Sequence, residues 1–198
     1  MQGFSRFFVF VFGESNVMTA KLVTPDEEYL QSYLEVCRDF KAQGITLYSL
    51  HDPEKFGEWR HTIFQKFENQ RLGINLPNGF VPASTFWSVE NGELIGIGNI
   101  RHRLTENLER FGGHIGYMIR RDKWGQGYGT AQLALLLEKA AKLGLECVLI
   151  TCDEDNIASA RVMEKNGGVW QDTIDNVIDG VPRRTKRYWI DLRDRRKM

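Results

Sequence analysis

The 198-residue chain has no excess of either charge, because 26 lysines and arginines balance 26 aspartates and glutamates. Such a balance provides no overall field that would attract nucleic acid or an anionic membrane surface. The chain also lacks an apolar run long enough to cross a bilayer, since the run at residues 7–12 is far shorter than the roughly 20 residues required. We therefore expect neither a nucleic-acid partner nor a membrane segment.

Cysteine is scarce as well. The three cysteines, Cys37, Cys147 and Cys152, form no CxxC pair and have no metal-ligand spacing. This usage is typical of small buried hydrophobic residues in a reducing compartment. The apolar run near the amino terminus has no small-residue cleavage site, so a secretory leader is not indicated. These absences predict a cytoplasmic protein without a metal ion.

The amino-terminal segment differs from the rest of the chain. Residues 1–17 contain the phenylalanine-rich run, whereas Met18 begins a more ordinary domain start. We expect residues 1–17 to be an extension, either disordered or derived from a misplaced start. Residues 18–198 are expected to form a single domain, a length that accommodates one hydrophobic core.

Apolar periodicity and turn signals predict the order of the secondary structure. The predicted elements are a strand at 21–24, helices at 25–37 and 52–71, strands at 84–89, 94–102 and 113–120, a helix at 131–143, a strand at 146–152, a helix at 156–166, and strands at 169–174 and 187–192. Asn91-Gly92 is a hairpin signal, and 104–110 is expected to be a polar connection. Three antiparallel strands followed by alternating helices and strands indicate a mixed α/β (α+β) fold.

The most informative stretch lies between the strand at 113–120 and the next helix. Its seven residues are Trp124, Gly125, Gln126, Gly127, Tyr128, Gly129 and Thr130. Glycine reaches positive φ without steric cost and lets a ligand approach the backbone, and we expect both properties at Gly127 and Gly129. Where such a loop begins a helix, free N–H groups and the helix dipole point at one place. The stretch predicts a phosphate or pyrophosphate site.

Three nucleotide-binding patterns compete for this loop. A Walker A loop requires GxxxxGK[ST], and no lysine follows these glycines. A Rossmann GxGxxG pattern fails by one residue, because Thr130 stands at the third glycine position. Asp153, at the end of the next strand, would nevertheless suit a dinucleotide or an S-adenosylmethionine variant. The antiparallel strands before the loop argue against that parallel fold.

The third pattern is that of the GNAT superfamily of N-acetyltransferases, which residues 19–192 resemble. Trp124–Gly129 is similar to the [QR]-x-x-G-x-[GA] pyrophosphate loop, with tryptophan in place of Gln or Arg, and Asn156–Gly168 is similar to the family's N-x-x-S helix. The tryptophan resembles the branch that acetylates ribosomal-protein amino termini. Asn99–His102 and Gly112–Tyr117 resemble a bacterial branch of predicted acetyltransferases.

The resemblance implies a GNAT fold, in which a central mixed, mostly antiparallel sheet with flanking helices contains two parallel strands that splay apart around acetyl-CoA. The Ile119 N–H is implied as the donor to the thioester oxygen. Asn156 is implied either to bind the pantetheine arm or to cap the helix that it begins. The implied acetyl-CoA contacts are Tyr117, Met118, Ile119, Trp124, Gly125, Gln126, Gly127, Tyr128, Gly129, Thr130, Asn156 and Ser159.

The implied reaction is direct attack of a primary amine on the thioester in a ternary complex, and the amine proton then needs a base. The candidate bases are His102, His114 and Glu90, with a structural role as the alternative for each histidine. His114 and Tyr117 are three residues apart in one strand and therefore point to opposite faces. Met163 stands where many members have a tyrosine that protonates the leaving thiolate. The general acid would then be Tyr117 or a water molecule, or the reaction would need no acid.

We therefore expect an acetyl-CoA-dependent N-acetyltransferase that acts on a small-molecule amine or a peptide amino terminus. A coenzyme A-binding regulator without catalysis is the first alternative, and a Rossmann-type dinucleotide or S-adenosylmethionine enzyme is the second. The basic cluster at 183–187 is interpreted as a solvated face or as a contact for a phosphate or a partner. The strand at 187–192 either stays in its sheet or exchanges with a partner in a homodimer.

Overall fold

The computed structural model describes residues 10–11, 17–45, 50–178 and 180–197. Most of the extension predicted at 1–17 lies outside the described residues. Within the described part, Phe10–Val11 (β1) pairs antiparallel with Val17–Met18 (β2). The boundary of the domain at residue 18 stays a prediction.

The remaining strands form two antiparallel sheets. Their bounds are β3 Lys21–Val23, β4 Ala83–Glu90, β5 Glu93–Arg101, β6 Ile115–Ile119, β7 Cys147–Asp153, β8 Val169–Ile178 and β9 Val181–Asp191. The strand order is β3-β4-β5-β6 in the first sheet and β7-β9-β8 in the second. The predicted hairpin is confirmed, because Asn91 and Gly92 have positive φ between the paired strands β4 and β5. The carboxy-terminal strand stays in its own sheet as the central strand β9.

The helices are α1 Leu30–Ala42, α2 Phe56–Trp59, α3 Ile63–Leu72, α4 Glu106–Arg110, α5 Tyr128–Lys142 and α6 Ile157–Lys165. The prediction of one helix over 52–71 was wrong, because the chain turns after Trp59, whose carbonyl accepts the Thr62 hydroxyl. The connection predicted at 104–110 contains α4, whose first turn is capped by the Thr105 hydroxyl. A short capped helix in a polar segment has no apolar periodicity that would reveal it.

Two apolar clusters, each covered by helices, lie on opposite faces of the first sheet. On one face, α1, α2 and α3 pack against Trp87 of β4 and Ile97 of β5. On the other face, α5 and α6 pack against Ile115 of β6 and Ile150 of β7. Because α5 contacts strands of both sheets, burial of its apolar side holds the sheets against a common helix.

The cysteines differ in environment. Cys37 and Cys152 are buried as predicted, whereas Cys147 is exposed at the first position of β7, so the prediction for Cys147 was wrong. In the described part of the chain, no group of three or more His, Cys, Asp or Glu residues could hold a metal ion. None of the described helices has both the length and the apolar character that a membrane span requires.

The two sheets join where β6 begins. The His114 N–H donates to the Leu149 carbonyl at 2.7 Å, and the Leu149 N–H donates to His114 Nδ1 at 2.9 Å. Next to them, the Gly112 N–H donates to Thr151 Oγ1 at 2.8 Å. Among the described strands, β6 and β7 are not paired in a common ladder, so they separate beyond this join. The space between them is called the gap below.

The join is sterically tight at Gly113, and this predicts a stability difference. Gly113 has φ +58°, and a Cβ there would lie 2.4 Å from the Leu149 carbonyl oxygen. Gly92 also has positive φ, at +81°, but a Cβ there would meet nothing within 4 Å. Both alanine substitutions carry a backbone strain of about 1–2 kcal/mol. We expect Gly113→Ala to lower the free energy of unfolding by about 2 kcal/mol more than Gly92→Ala, because only Gly113→Ala also overpacks the join. Urea denaturation compares the two, and equal losses would contradict the tight join.

Candidate functional site

The loop predicted to bind phosphate connects β6 to α5 and ends at an uncapped helix N-terminus. Gly125 and Gly127 have φ +73° and +90°, and Gly127 is the N-cap residue of α5 without a side-chain cap. The Ala131 N–H donates to the Gly127 carbonyl at 3.1 Å and begins the helical hydrogen bonding. The N–H groups of residues 128–130 precede that bond and point out of the helix. These donors and the helix dipole favour an anion at this place.

Gly129 does not have the positive φ that was predicted for it. It lies in the first turn of α5, where the backbone is helical. Its missing side chain serves packing instead, since a Cβ at Gly129 would lie 3.3 Å from Val162 Cγ2 of α6. The prediction was therefore wrong about the backbone conformation, whereas the need for close approach has a structural basis in the contact between α5 and α6.

Trp124 connects the loop to the end of β6. Its indole Nε1 donates to the Ile119 carbonyl at 2.7 Å, and the Arg121 guanidinium lies 5.0 Å from its ring centroid. In the same loop, Gln126 Nε2 donates to the Asp122 carbonyl at 2.7 Å. Both bonds use side-chain donors. These bonds fix the conformation of the loop and do not involve the backbone N–H groups at the start of α5.

The backbone of β6 presents alternate residues to the gap. Ladder bonds from the Arg120 N–H and to the His114 carbonyl connect the two ends of β6 with β5. Hydrogen-bonded pairs alternate along an antiparallel ladder. The backbone groups of Tyr117 and Ile119 consequently face the gap, whereas those of Met118 face β5. The predicted cofactor contacts of Tyr117 and Ile119 suit this geometry, and a contact from Met118 would need its side chain.

The Tyr117 side chain reaches from β6 to the start of α6. Its hydroxyl lies 3.0 Å from Ser159 Oγ and 3.4 Å from the Ser159 carbonyl oxygen. Burial raises the pKa of Tyr117 to about 12, although the hydrogen bond with Ser159 works in the opposite direction. Burial also raises the pKa of the nearby Cys152 thiol, to about 11. At neutral pH both groups are therefore protonated, and Ser159 is the hydrogen-bond partner of the Tyr117 hydroxyl.

The first turn of α6 is capped by the Asn156 side chain. Asn156 Oδ1 accepts the Ser159 N–H at 3.0 Å, so the side-chain oxygen of Asn156 caps the helix. The cap does not use the amide NH2 group of Asn156, so its contact with the pantetheine arm stays a prediction. Met163, further along α6, is 0% exposed in the core between α5 and α6. It packs there and has no proton to donate.

His114 is suited to structure rather than to base catalysis. The side chain is 7% exposed, and its Nδ1 accepts the Leu149 N–H, which places the ring proton on Nε2. Burial, together with the charge of Arg101, lowers the pKa of His114 to about 4. To accept a proton, His114 would have to release Leu149 and open the join.

The other two candidate bases are also engaged. His102 Nε2 lies 2.8 Å from Ser84 Oγ at the end of β5 away from the glycine loop, and burial lowers the pKa of His102. Glu90 accepts the Tyr128 hydroxyl at 2.5 Å and the Thr19 N–H at 2.7 Å. Burial opposes ionisation of Glu90, but these hydrogen bonds hold its pKa below the ordinary value. The ionised Glu90 therefore anchors the first turn of α5 to β4.

Arg101 contacts the backbone that precedes β6. Its Nη1 donates to the carbonyls of Gly112 and Gly113 at 2.8 and 3.0 Å. These two residues precede His114 at the join. Arg101 thus supports the backbone that brings β6 to β7.

Comparison with known proteins identifies the family of this chain. The sequence pattern of the Acetyltransferase (GNAT) domain matches residues 21–169, which is most of the chain. The chain belongs to the GNAT acetyltransferase family. The predicted family and the predicted class of enzyme, an acyltransferase, are confirmed.

Solved GNAT structures share the fold at low sequence identity. RimJ of Mycobacterium smegmatis, in complex with CoA-disulfide, is 16% identical with a TM-score of 0.68, and the match covers 90% of this chain and 83% of RimJ. RimL, a ribosomal L7/L12 alpha-N-protein acetyltransferase in complex with coenzyme A, is 18% identical with a TM-score of 0.62 and coverage of 88% and 94%. A spermidine N-acetyltransferase SpeG chimera from Vibrio cholerae and hSSAT is 13% identical with a TM-score of 0.58 and coverage of 89% and 98%. These matches confirm the predicted GNAT fold.

Sequence reasoning missed one polar group on the other face of this GNAT domain. Arg110 of α4 donates from Nε to Asn176 Oδ1 at 3.1 Å and from Nη2 to the Asp175 carbonyl at 2.9 Å. The partners are more than 60 residues apart in the chain. The only local sign was the polar character of the segment around α4, which by itself indicates no partner.

The join predicts a pH dependence of stability. His114 is neutral in the folded enzyme down to about pH 4, whereas an unfolded histidine is protonated below about pH 6.5. The free energy of unfolding should therefore fall as the pH drops through this window, by about 3 kcal/mol for this residue. His114→Asn offers Oδ1 as an acceptor that does not titrate, so it should lack this contribution.

Urea denaturation of both proteins at several pH values between 7 and 4 measures the difference. Contributions from the rest of the chain are the same in both proteins and cancel in the comparison. Parallel loss of stability in the two proteins would contradict the role of neutral His114.

Proposed function

We propose that this chain transfers the acetyl group of acetyl-CoA to a primary amine, on a small molecule or a peptide amino terminus, within a ternary complex. The observation that carries the proposal is the position of the uncapped N-terminus of α5 directly after β6, whose backbone faces the gap at Tyr117 and Ile119. The first feature suits a pyrophosphate, and the second suits the amide groups of a pantetheine arm. Coenzyme A carries these groups in succession, and RimJ and RimL are neighbours with coenzyme A or its disulfide bound.

The residues present fit this donor. Three N–H groups at positions 128–130 point toward one place, and the glycines on either side of Gln126 have positive φ. Tyr128 is fixed by its hydrogen bond with Glu90, so the first turn of α5 is held before any ligand arrives. Preorganised donors of this kind cost little ordering free energy on binding.

Ile119 is the residue we assign to the reacting centre. Acetyl-CoA supplies a thioester carbonyl whose oxygen gains negative charge when an amine attacks. The Ile119 carbonyl is occupied by the Trp124 indole, and its N–H faces the same side of β6. A fixed backbone N–H beside the gap stabilises developing negative charge better than mobile water does.

Tyr117 is proposed as a hydrogen-bond donor to the leaving sulfur. Its pKa of about 12 lies well above the value of about 8.5 that is usual for a thiol. Complete proton transfer from Tyr117 to a thiolate is therefore unfavourable, whereas hydrogen bonding is not. In this proposal Tyr117 takes over part of the role that Met163, buried in the core, cannot perform.

The amine proton is proposed to leave through water. His114 is committed to the join, His102 is bonded to Ser84, and Glu90 is bonded to Tyr128. A chain of water molecules is a recognised route for such a proton. His114 would then act by holding the two sheets together.

A coenzyme A-binding regulator is the second candidate, because Met163 replaces the usual tyrosine. The Rossmann alternative conflicts with the antiparallel order of β4, β5 and β6. Isothermal titration with acetyl-CoA, followed by thiol release over a panel of amines and peptides, separates the remaining two. Binding with turnover supports the transferase, binding without turnover of any amine supports the regulator, and no binding at high micromolar ligand defeats both.

The location, the domain bounds and the oligomeric state of the protein are proposed separately. We propose a cytoplasmic location, which the unpaired cysteines support. We propose a single domain over 18–198 with residues 1–17 as an extension. Homodimer formation is open to size-exclusion chromatography.

Gly127 provides the test of the donor site. Gly127→Val places a β-branched residue at φ +90° at the N-cap, so we expect acetyl-CoA affinity to fall at least tenfold, or about 1.4 kcal/mol. Gly144→Val is the matched variant, since Gly144 has φ +96° just beyond the other end of α5 and open space around its Cβ position. Isothermal titration should find near wild-type affinity for Gly144→Val. Equal affinities in the two variants would refute the loop assignment.

Tyr117 provides the test of the reacting centre. Tyr117→Phe removes the hydroxyl, and we expect kcat to fall about 10- to 100-fold while the Kd for acetyl-CoA changes less than about threefold. Tyr188→Phe is the comparison, because Tyr188 is a buried tyrosine whose hydroxyl donates to Glu164. Steady-state thiol release should leave Tyr188→Phe near wild type. An unchanged kcat in Tyr117→Phe would remove this residue from the mechanism.

A further inference from the structure

A cleft of about 490 Å³ lies between α4 and the tip of the β8–β9 hairpin. Among its lining residues are three arginines, Arg110, Arg183 and Arg184, together with Phe111 and Asn176. A second cleft, of about 450 Å³, adjoins it and shares Arg183 and Arg184. The basic cluster noted in the sequence at 183–187 therefore lines concave surface with its first two residues.

The cleft lies on the face of the second sheet opposite α5 and α6. Ile150 and Cys152 of β7 pack toward α5 and α6, so strand alternation directs Thr151 and Asp153 to the other face. There, Thr151 Oγ1 accepts the Gly112 N–H just beyond α4. A ligand in this cleft would thus approach the sheet from the side opposite the glycine loop.

The wall of the cleft contacts one strand of the gap. Arg183 Nη1 lies 2.5 Å from Asp153 Oδ2, and Asp153 is the last residue of β7. One ion pair therefore separates the cleft wall from the strand that forms one side of the gap. A donor held from the α5 side and an acceptor held in this cleft would meet at the gap from opposite faces.

Arg110 is held in place by a buried amide. Asn176 is 7% exposed, its Oδ1 accepts Arg110 Nε, and its Nδ2 donates to Thr185 Oγ1 at 3.0 Å and to the Arg110 carbonyl at 3.3 Å. The Asp175 carbonyl accepts a further bond from Arg110 Nη2. Every polar group of the Asn176 side chain is used, so the guanidinium is preorganised although it lines an open cleft.

The charges of the three arginines are compensated unequally. Arg183 pairs with Asp153, and Arg184 pairs with Glu154 at 2.8 Å and with Asp175, which also lines the cleft, at 3.6 Å. Within the described part of the chain, the bonds of Arg110 are all to neutral oxygens. Arg110 therefore keeps an uncompensated positive charge and free N–H donors on a fixed guanidinium, which is the geometry that binds carboxylate in a fork.

We propose that this cleft is the acceptor site and that Arg110 binds a carboxylate of the acceptor. The proposal rests on the proposed acetyltransferase function and names its substrate class as amines that also carry a carboxylate. Such a carboxylate belongs either to a free amino acid or to acidic side chains near a peptide amino terminus. The acidic groups at and beside the cleft, Asp175, Asp153 and Glu154, are each paired with Arg183 or Arg184, and this pairing disfavours a polycationic amine.

Matched acceptors test the carboxylate. Thiol release is measured with the peptide amides Ser-Glu-Glu-Glu and Ser-Gln-Gln-Gln, with free glutamate and its diamide, and with spermidine. We expect kcat/KM to be at least tenfold higher for one or both acidic acceptors than for their neutral counterparts. Preference for the peptide or for free glutamate identifies the source of the carboxylate. Equal use of acidic and neutral acceptors, or preference for spermidine, overturns the proposal.

Arg110→Gln tests the residue. In this variant the ratio of kcat/KM for the acidic acceptor to that for the neutral acceptor should fall to about 1. Arg103→Gln is the control, because Arg103 is an exposed arginine shortly before α4 that does not line the cleft. It should retain the wild-type ratio. Retained preference in Arg110→Gln overturns the assignment. Acetyl-CoA affinity, measured by isothermal titration, should be unchanged in both variants.

Different results would overturn the acetyltransferase function and the acceptor site at Arg110. Absence of acetyl-CoA binding by the wild-type chain defeats the proposed function. If acetyl-CoA binds without turnover, the same peptides are titrated into the chain saturated with coenzyme A. Tighter binding of the glutamate peptide that Arg110→Gln abolishes supports the site, and equal binding of the two peptides overturns it.

Discussion

Two hydrogen bonds between His114 and Leu149 hold the sheets together at the point from which β6 and β7 separate. The usual partner of a strand amide is another strand's carbonyl, but here a neutral imidazole nitrogen takes that place. Gly113 leaves room for the close approach, and Arg101 supports the backbone before it. A gap between two strands exposes unpaired backbone groups, and it is tolerable only if the sheets are fastened beside it and covered by a common helix. The join and α5 meet those two requirements.

The helix α5 contributes to stability through its apolar side and to the proposed binding site through its first turn. Its apolar side is buried against strands of both sheets, whereas its first turn projects N–H groups that no side chain caps. Tyr128 and Trp124 fix that turn and the end of β6 through bonds to Glu90 and Ile119. The proposed donor site therefore consists of backbone groups held in place by side chains. A site of this kind can bind the same ligand with varied side chains, which agrees with a shared fold at identities below 20%.

The two faces of the sheets differ in the kind of recognition that they offer. On the α5 face the proposed binding groups are backbone amides, whose position depends on secondary structure. On the opposite face the proposed binding groups are arginine side chains around α4 and the β8–β9 hairpin, and Arg110 is placed by the buried Asn176. Such side-chain sites change readily between members of one fold, since function lies in sites carried by the scaffold. This difference explains why the donor was easier to predict than the acceptor.

The sequence by itself determined the features that depend on neighbouring residues: the Asn91-Gly92 hairpin, the glycine loop before α5 and the family. It was wrong where local signals mislead, as at Gly129, whose backbone is helical and whose small size serves packing. Only the tertiary structure decided that His114 joins two sheets and that Arg110 is a fixed cation. Their partners lie 35 and 66 residues away in the chain. Contacts at such separations follow from how the sheets and helices pack, and no local pattern of residues encodes them.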